Sequence, residues 1–150
     1  METQQDEQLQ DQLELETATD LELDEFEIDE RPNWLVAVRA AEDKKATNIK
    51  VLDLREVTSF TDFFVICNGS NPKQIQAISD EIQMQLKARR EYASGIEGYE
   101  TGEWVLGDYV DLIVHVFNEK TREFYDLDRL WRDGKEVEIP VEAPVETPAE

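Results

Sequence analysis

The segment from residue 104 to residue 131, WVLGDYVDLIVHVFNEKTREFYDLDRLW, constrains the fold most strongly. Two short apolar stretches, residues 104–106 and 112–117, flank a polar turn, and a helical pattern rich in aromatic residues follows almost at once. Phe124, Leu127 and Trp131 recur at helical spacing in that last part. The segment therefore predicts a β-hairpin followed by a helix that presents these three side chains on one face.

Two further strands precede the hairpin. Residues 63–67 form a continuous apolar run, FFVIC, which is typical of a strand that is buried on both of its faces. Residues 49–54 predict another strand, and the polar connection at 95–102 has room for a short edge strand.

Two helical patterns accompany these strands. The first contains Leu35, Val38 and Ala41 at helical spacing. The second begins at Asn71 and Pro72, a good N-cap and first-turn pair, and it carries one apolar stripe: Ile75, Ile78, Ile82 and Leu86. Helices and strands alternate along the chain, which predicts an α/β domain with helices packed on a central sheet.

The net charge of −21 is distributed unevenly. Residues 1–30 contain 13 acids and no Lys or Arg, and residues 136–150 contain 5 acids and no base. Residues 31–135 hold the remaining 18 acids and all 15 bases, a net charge of −3. We predict an acidic disordered arm at 1–30, a domain at 31–135, and an acidic Pro/Glu-rich tail at 136–150. The arm also contains Leu, Ile and Phe, so docking on a basic partner or on its own domain is the alternative.

Composition also bears on partners and location. A nearly neutral domain between acidic ends lacks the basic footprint that grips nucleic acid, which disfavours direct binding to DNA or RNA and favours a basic protein partner. Cys67 is the single cysteine, which excludes an internal disulfide and a zinc-type cysteine cluster. The N-terminus lacks the features of a secretory signal, and no apolar run approaches the roughly 20 residues that span a bilayer. We expect a soluble cytoplasmic protein without membrane association.

Three separated motifs, in one order, resemble the ribosomal silencing factor family, also called the Iojap family. They are AAEDKKATNIKVLD at 40–53, SFTDFFVICNGS at 59–70 and the segment at 104–131, and the resemblance covers roughly residues 34–132. It implies a mixed central sheet of about five strands flanked by helices, related in shape to nucleotidyltransferases. It also implies a protein that binds the large ribosomal subunit, blocks joining of the small subunit, and forms a homodimer when free.

The resemblance also implies a partner-binding site on the hairpin. In the family, the matching strand and turn lie against a basic protein of the large subunit, ribosomal protein fourteen. The matching residues are Trp104, Asp108, Tyr109 and Asp111, an aromatic anchor and two carboxylates suited to a partner that bears Lys or Arg. From the residues alone, an ordinary hairpin with Trp104 in the core and the two aspartates in a solvated turn is the competing interpretation.

The turn departs from the family pattern at one position. The family commonly has Asp-Tyr-Gly-Asp here, whereas this chain has Val110 in place of the glycine. Because valine accepts a positive φ poorly, either the turn does not require that conformation or its backbone is shifted. Gly107 is a candidate for the flexible backbone position of the turn, a few residues before Val110.

A nucleotidyltransferase is the rival that the implied shape suggests. Such an enzyme needs a Gly-Ser turn for phosphates and paired carboxylates for magnesium. Gly69 and Ser70 follow a strand, but an ordinary turn before a helix cap explains them. Asp126 and Asp128 are expected on a helix, about 200° apart, and so cannot share a metal. His115 and Cys67 are expected to be structural, so no catalytic, cofactor or metal site is predicted.

The sequence is therefore compatible with three alternative functions. The first is a ribosome-associated repressor that acts by steric exclusion and lowers translation when nutrients are short. The second is a nucleotidyltransferase-like enzyme, which magnesium-dependent nucleotide binding would favour. The third is an acidic interaction protein that binds through its arm, which loss of binding on removal of residues 1–30 would favour. We take the first as the working hypothesis.

Overall fold

The computed structural model describes residues 29–141, and it confirms the predicted α/β class. These residues form α1 (Asn33–Asp43), β1 (Thr47–Asp53), β2 (Phe63–Asn68), α2 (Pro72–Lys87), β3 (Gly95–Glu97), β4 (Trp104–Asp108), β5 (Leu112–Phe117), α3 (Glu119–Tyr125), α4 (Leu127–Leu130) and β6 (Lys135–Val137). The compact unit to which these elements belong begins at Arg31. None of the helices described is long and apolar enough to cross a membrane.

The six strands form one mixed sheet in the order β3-β4-β5-β2-β1-β6. Strands β2 and β5 pair in parallel, and every other neighbouring pair in this sheet is antiparallel. The sheet has one strand more than the resemblance implies, because residues 135–137 pair with β1 at its outer edge. This added strand spans the predicted boundary between domain and tail at residue 135, and Ile139 beyond it packs against the core.

Helices α1 and α2 cover one side of the sheet, which we call the first face. The Asn71 side chain accepts a hydrogen bond from the backbone N–H of Gln74 at 2.8 Å, so the predicted cap is confirmed. The predicted stripe of α2 is also confirmed, since all four of its members are fully buried: Ile75, Ile78, Ile82 and Leu86. They pack against α1 and against the side chains that the sheet directs to this side, among them Val65 and Cys67 of β2.

The opposite side, the second face, carries a smaller core. Strand β2 directs Phe64 and Ile66 to this side, which confirms that its apolar run is buried on both faces. The covering elements are α3 and α4, of seven and four residues. Leu127 is the buried residue of α4, and α3 contains no buried residue. The cover on the second face is therefore thin.

The prediction of one continuous final helix is wrong. The chain breaks at Asp126, whose φ of +48° places it in the left-handed region between α3 and α4. Leu127 and Trp131 pack on the second face, but Phe124 is 81% exposed. The break changes the direction of the helical face, and for this reason Phe124 points to solvent instead of joining the other two side chains.

Candidate functional site

Strand β4 divides its side chains between the two faces. Trp104 and Leu106 pack against the core of the second face, whereas Val105 belongs to the core of the first face. This alternation is the normal consequence of the period of two in a strand. Only the even-numbered positions of β4 can therefore belong to a surface formed on the second face.

Trp104 connects the core of the second face with its surface. Its ring stacks on Phe117 with centroids 4.9 Å apart, and the ring of Tyr125 lies 4.7 Å away on α3. The indole Nε1–H donates a hydrogen bond to Nδ1 of His115 at 3.1 Å. The side chain is half-buried, so the two interpretations of Trp104, core residue and exposed anchor, each describe part of it.

His115 is buried on the same face and orients Trp104. Burial lowers the pKa of its imidazole to about 3, so the side chain is neutral at physiological pH. Because Nδ1 accepts the hydrogen bond from Trp104, the ring proton lies on Nε2. That Nε2 has no hydrogen-bond partner among the described residues. The geometry thus gives His115 a structural role, as expected from the sequence.

Exposed apolar side chains lie next to Trp104 and next to Trp131. Tyr125 is 49% exposed and contacts the ring of Phe124 at 5.1 Å, and Leu130 is 70% exposed beside the same groove as Tyr125. On the other side of the core, the exposed Phe60 packs edge-on against Trp131 at 5.6 Å. We call this surface the aromatic face; it consists of Phe60, Trp104, Phe124, Tyr125, Leu130 and Trp131. Exposed apolar clusters of this kind mark interaction sites.

Asp108 lies on the same side of β4 as Trp104, four residues and therefore about 13 Å along the strand. It is half-exposed, and its Oδ1 accepts a hydrogen bond from the backbone N–H of Val110 at 2.9 Å. The carboxylate therefore shapes the turn and still offers a negative charge at the end of the aromatic face.

Tyr109 lies on the opposite side of the sheet from Trp104. Its ring is buried in the core of the first face, where it lines a small gap with Ile82 and Val105. Burial raises the pKa of its hydroxyl to about 12. The structure therefore does not bring Tyr109 together with Trp104, and little of its surface is available to a partner.

Asp111 lies at the junction between the hairpin and α1. Its Oδ1 accepts a hydrogen bond from Nδ2 of Asn33 at 3.0 Å, and its backbone oxygen accepts from the N–H groups of Asp62 and Phe63. The side chain is exposed, so it can also meet a cationic group. Of the four predicted residues, Trp104 and Asp108 share one side of β4, Asp111 borders the turn, and Tyr109 faces the opposite core.

The turn resolves the question raised by Val110. Its φ is +77°, so this turn uses the left-handed conformation with valine in the position where the family commonly has glycine. The expected relocation to Gly107 is wrong, since the positive-φ glycines among the described residues are Gly98 and Gly102. A Cβ at Gly107 would lie 3.1 Å from the Tyr109 ring, so this glycine leaves room for packing. Val110 is also 68% exposed, an apolar side chain held at the tip of the hairpin.

The residues considered for an enzyme have other contacts. The hydroxyl and N–H of Ser70 both donate to Oε1 of Gln74, within the turn that leads into α2. Asp128 pairs with Arg122 at 3.2 Å and with Lys50 at 3.8 Å, and Asp126 occupies the helix break. Among residues 29–141, no group of three or more His, Cys, Asp or Glu side chains is arranged to hold a metal ion.

Sequence reasoning did not identify Phe124, Tyr125 or Leu130 as surface residues. The expected continuous helix directs Phe124 inward, and the break at Asp126 reverses that assignment. One pattern in the sequence could have indicated the surface: aromatic or leucine side chains at four positions within residues 124–130 exceed what one buried stripe can hold.

Comparisons with known proteins agree with the resemblance in the sequence. The family model for RsfS, ribosomal silencing factor during starvation, matches residues 28–150. The ribosomal silencing factor RsfS of Halalkalibacterium halodurans is 39% identical over 104 residues, which cover 69% of this chain and 89% of the relative. A crystal structure of a Chromobacterium violaceum protein superposes with a TM-score of 0.64 at 34% identity and covers 73% of this chain and 91% of its own.

A more distant relative carries a name that mentions one ribosomal subunit. The mouse mitochondrial assembly of ribosomal large subunit protein 1 is 29% identical over 91 residues. The match covers 59% of this chain and 40% of the mouse protein, so much of the mouse protein has no counterpart in this alignment.

Proposed function

Because this chain belongs to the ribosomal silencing factor family, we propose that it represses translation by binding the large ribosomal subunit and excluding the small one. The family description names silencing during starvation, and the mouse relative is named for the large subunit. The first supports a role in lowering translation when nutrients are short, and the second supports the large subunit as the binding partner. The proposed mechanism is steric: a folded domain on the intersubunit surface occupies space that the small subunit needs.

The aromatic face is the observation that supports this proposal most strongly. Stacking on Phe117 and a hydrogen bond to His115 hold Trp104 in place. At the surface, Tyr125 contacts Trp104, and Phe124 contacts Tyr125. Rigid aromatic anchors of this kind dominate the binding energy of protein interfaces. Binding gains free energy when such an apolar surface is removed from water. This favours a protein partner over the phosphate backbone of a nucleic acid.

We propose ribosomal protein fourteen as the protein that the aromatic face contacts. The family resemblance supplies this partner, and charge supports it. Asp108 lies on the same face, and Asp111 borders the turn, so both carboxylates are placed to meet cationic groups of a basic protein. In this proposal Trp104, Phe124 and Tyr125 provide affinity, and the aspartates provide orientation. Tyr109 supports the turn from the opposite face.

The proposal includes neither catalysis nor direct binding to DNA. The polar residues that nucleotide transfer would require have other structural roles. Ser70 lies in a turn, Asp128 forms an ion pair, and Asp126 lies at the break between two helices. We further propose, from the family resemblance, that the free protein forms a homodimer and acts on ribosomes in the cytoplasm. Steric exclusion requires only occupancy of the subunit surface.

Sedimentation of the full chain with purified subunits tests this function. We expect cosedimentation with the large subunit, none with the small subunit, and fewer assembled ribosomes when both subunits are mixed after preincubation. Adding the protein to ribosomes that are already assembled provides the control, because a steric block should act best before joining. Equal binding to both subunits, or binding without an effect on assembly, would refute the silencing function.

A further inference from the structure

A cleft with a volume of about 530 Å³ lies at the end of the sheet where β2 and β5 both end. Its walls are residues 45–48 where β1 begins, residues 68–74 between the end of β2 and the first turn of α2, and residues 118–120 where α3 begins. Strands β2 and β5 are the parallel pair of the sheet. In α/β sheets, ligands bind in the crevice outside the carboxyl ends of parallel strands. The volume is in the range of small-molecule sites.

The Gln74 side chain links two walls of this cleft through hydrogen bonds. Its Oε1 accepts hydrogen bonds from the N–H and the hydroxyl of Ser70, both at 2.6 Å. Its Nε2 donates to the backbone oxygens of Lys44 and Lys45, both at 3.1 Å. One side chain thus joins the turn after α1 to the turn before α2. The cleft is preorganised by hydrogen bonds that do not depend on a ligand.

Asn68 contributes an amide group to the lining of the cleft. The residue is only 6% exposed, and its Oδ1 accepts a hydrogen bond from Arg122 at 2.9 Å. This bond fixes the side chain, and it leaves the amide Nδ2 without an acceptor among residues 29–141. The Nδ2 is not one of the fully enclosed atoms that lack a partner, so solvent can reach it. An amide donor that is held in place and open to solvent is available to an acceptor oxygen in the cleft.

Two lysines give the cleft its charge. Lys45 and Lys120 both line it, and neither forms an ion pair within the described part of the chain, whereas the neighbouring Lys44 pairs with Glu81 at 3.8 Å. Glu119 is the carboxylate among the lining residues. Lysine ammonium groups are point-charge ligands for phosphate. The combination of two cations, an amide donor without a protein acceptor and a fixed wall suits an anion with several acceptor oxygens.

We propose that this cleft binds the phosphate groups of a small phosphorylated metabolite. Asn68 Nδ2 donates to a phosphate oxygen, and Lys45 and Lys120 neutralise the phosphate charge from opposite walls. The carboxylate of Glu119 opposes the ligand and limits its affinity. The lining of this cleft shares no residue with the aromatic face, so the proposed site goes beyond the repression of subunit joining and does not depend on it.

Titration of the full chain with pyrophosphate, followed by amide chemical shifts in NMR, tests the site. We expect saturable shifts at Lys45, Gly69, Ser70 and Lys120. Lys120→Gln should weaken pyrophosphate at least about fivefold, since a direct cation–phosphate contact is lost. Lys73→Gln removes the same charge outside the cleft and should change the affinity less than twofold. Glu119→Gln should strengthen binding.

A second variant separates direct contact from general charge. Asn68→Asp keeps the acceptor for Arg122 but removes the amide donor and adds a repelling charge, so it should abolish pyrophosphate binding while the spectrum of the fold persists. Parallel titrations with ATP and with an RNA oligonucleotide distinguish a small metabolite from nucleic acid. Non-saturable shifts, equal effects of Lys73→Gln and Lys120→Gln, or binding to RNA alone would overturn the proposal. None of these readouts depends on ribosome binding.

Discussion

The two faces of the sheet differ in how completely helices cover them. On the first face, α1 and α2 bury a continuous apolar stripe, and α2 alone contributes four fully buried side chains: Ile75, Ile78, Ile82 and Leu86. On the second face, α3 and α4 together contribute one buried residue, Leu127. The first face therefore provides most of the packing that stabilises the domain.

The thin cover on the second face has a functional consequence. Short helices cannot hide the sheet completely, so aromatic residues such as Trp104 and Tyr125 extend from the core to solvent. Apolar surface left exposed in this way is available to a partner at little cost in rearrangement. The comparison predicts that substitutions on the first face change stability, whereas substitutions at exposed positions on the second face change binding.

The largest effect is expected from Ile78→Ala on the first face. The side chain of Ile78 lies on the buried side of α2 and is completely buried. Its truncation should lower the free energy of unfolding by about 2–5 kcal/mol. The exposed Phe124→Ala is the matched control on the second face and should change stability by at most about 0.5 kcal/mol. Chemical denaturation measures both. A comparable loss of stability in the two variants would break the distinction between the faces.

Trp104→Ala should affect both properties, because this residue connects core and surface. Loss of a partly buried indole should lower the free energy of unfolding by about 1–3 kcal/mol, less than the loss for a fully buried tryptophan. Loss of an interface anchor should weaken binding to the large subunit by about 2 kcal/mol. Thermal melting beside a binding assay separates the effects. Destabilisation with unchanged affinity of the folded fraction would remove Trp104 from the interface.

The pH dependence of stability tests the interior of the second face. The pKa of His115 falls from 6.5 to about 3 on burial, so the unfolded state binds the proton more readily. The neutral form of His115 predominates in both states above about pH 6.5, so the free energy of unfolding is highest there. As the pH falls below that value, the free energy of unfolding decreases by at most about 1.4 kcal/mol per pH unit. Denaturation between pH 4 and 7, compared with His115→Gln, measures the slope. Equal slopes would contradict a buried neutral histidine.

The smallest effect is expected from Val110→Gly at the tip of the hairpin. Valine has φ +77° there, and a glycine removes the strain between Cβ and the backbone. After the greater unfolded-state entropy of glycine is included, the substitution should stabilise the domain by about 1 kcal/mol. Val110→Ala is the control, because alanine retains a Cβ at the same φ. Destabilisation by glycine, measured in urea, would show that the side chain has a structural contact.

The fold was predictable where local pattern and tertiary packing agree. The apolar run of β2, the Asn71 cap and the stripe of α2 each have a direct counterpart in the structure. The break at Asp126 was not predictable from the pattern, because aspartate is compatible with a helix and also with the left-handed conformation that it adopts here.

The candidate site was predictable only in part. Strand periodicity alone separates Trp104 from Tyr109, because positions an odd number apart point to opposite faces of a strand. The contribution of Phe124 and Tyr125 depends on the helix break, and the positive φ of Val110 is set by the turn. Valine does not normally favour that conformation, so its own preferences could not reveal it.

Binding of the large subunit by two matched surface variants tests the central claim most directly. Phe124→Glu places a charge in the aromatic face, and Met84→Glu places the same charge on the exposed side of α2. Both side chains are exposed, so neither variant should unfold. We predict that Phe124→Glu weakens cosedimentation with the large subunit at least about tenfold, or about 1.4 kcal/mol, while Met84→Glu changes it less than about twofold. Unchanged binding by Phe124→Glu, or equal losses in the two variants, would contradict a docking role for the aromatic face.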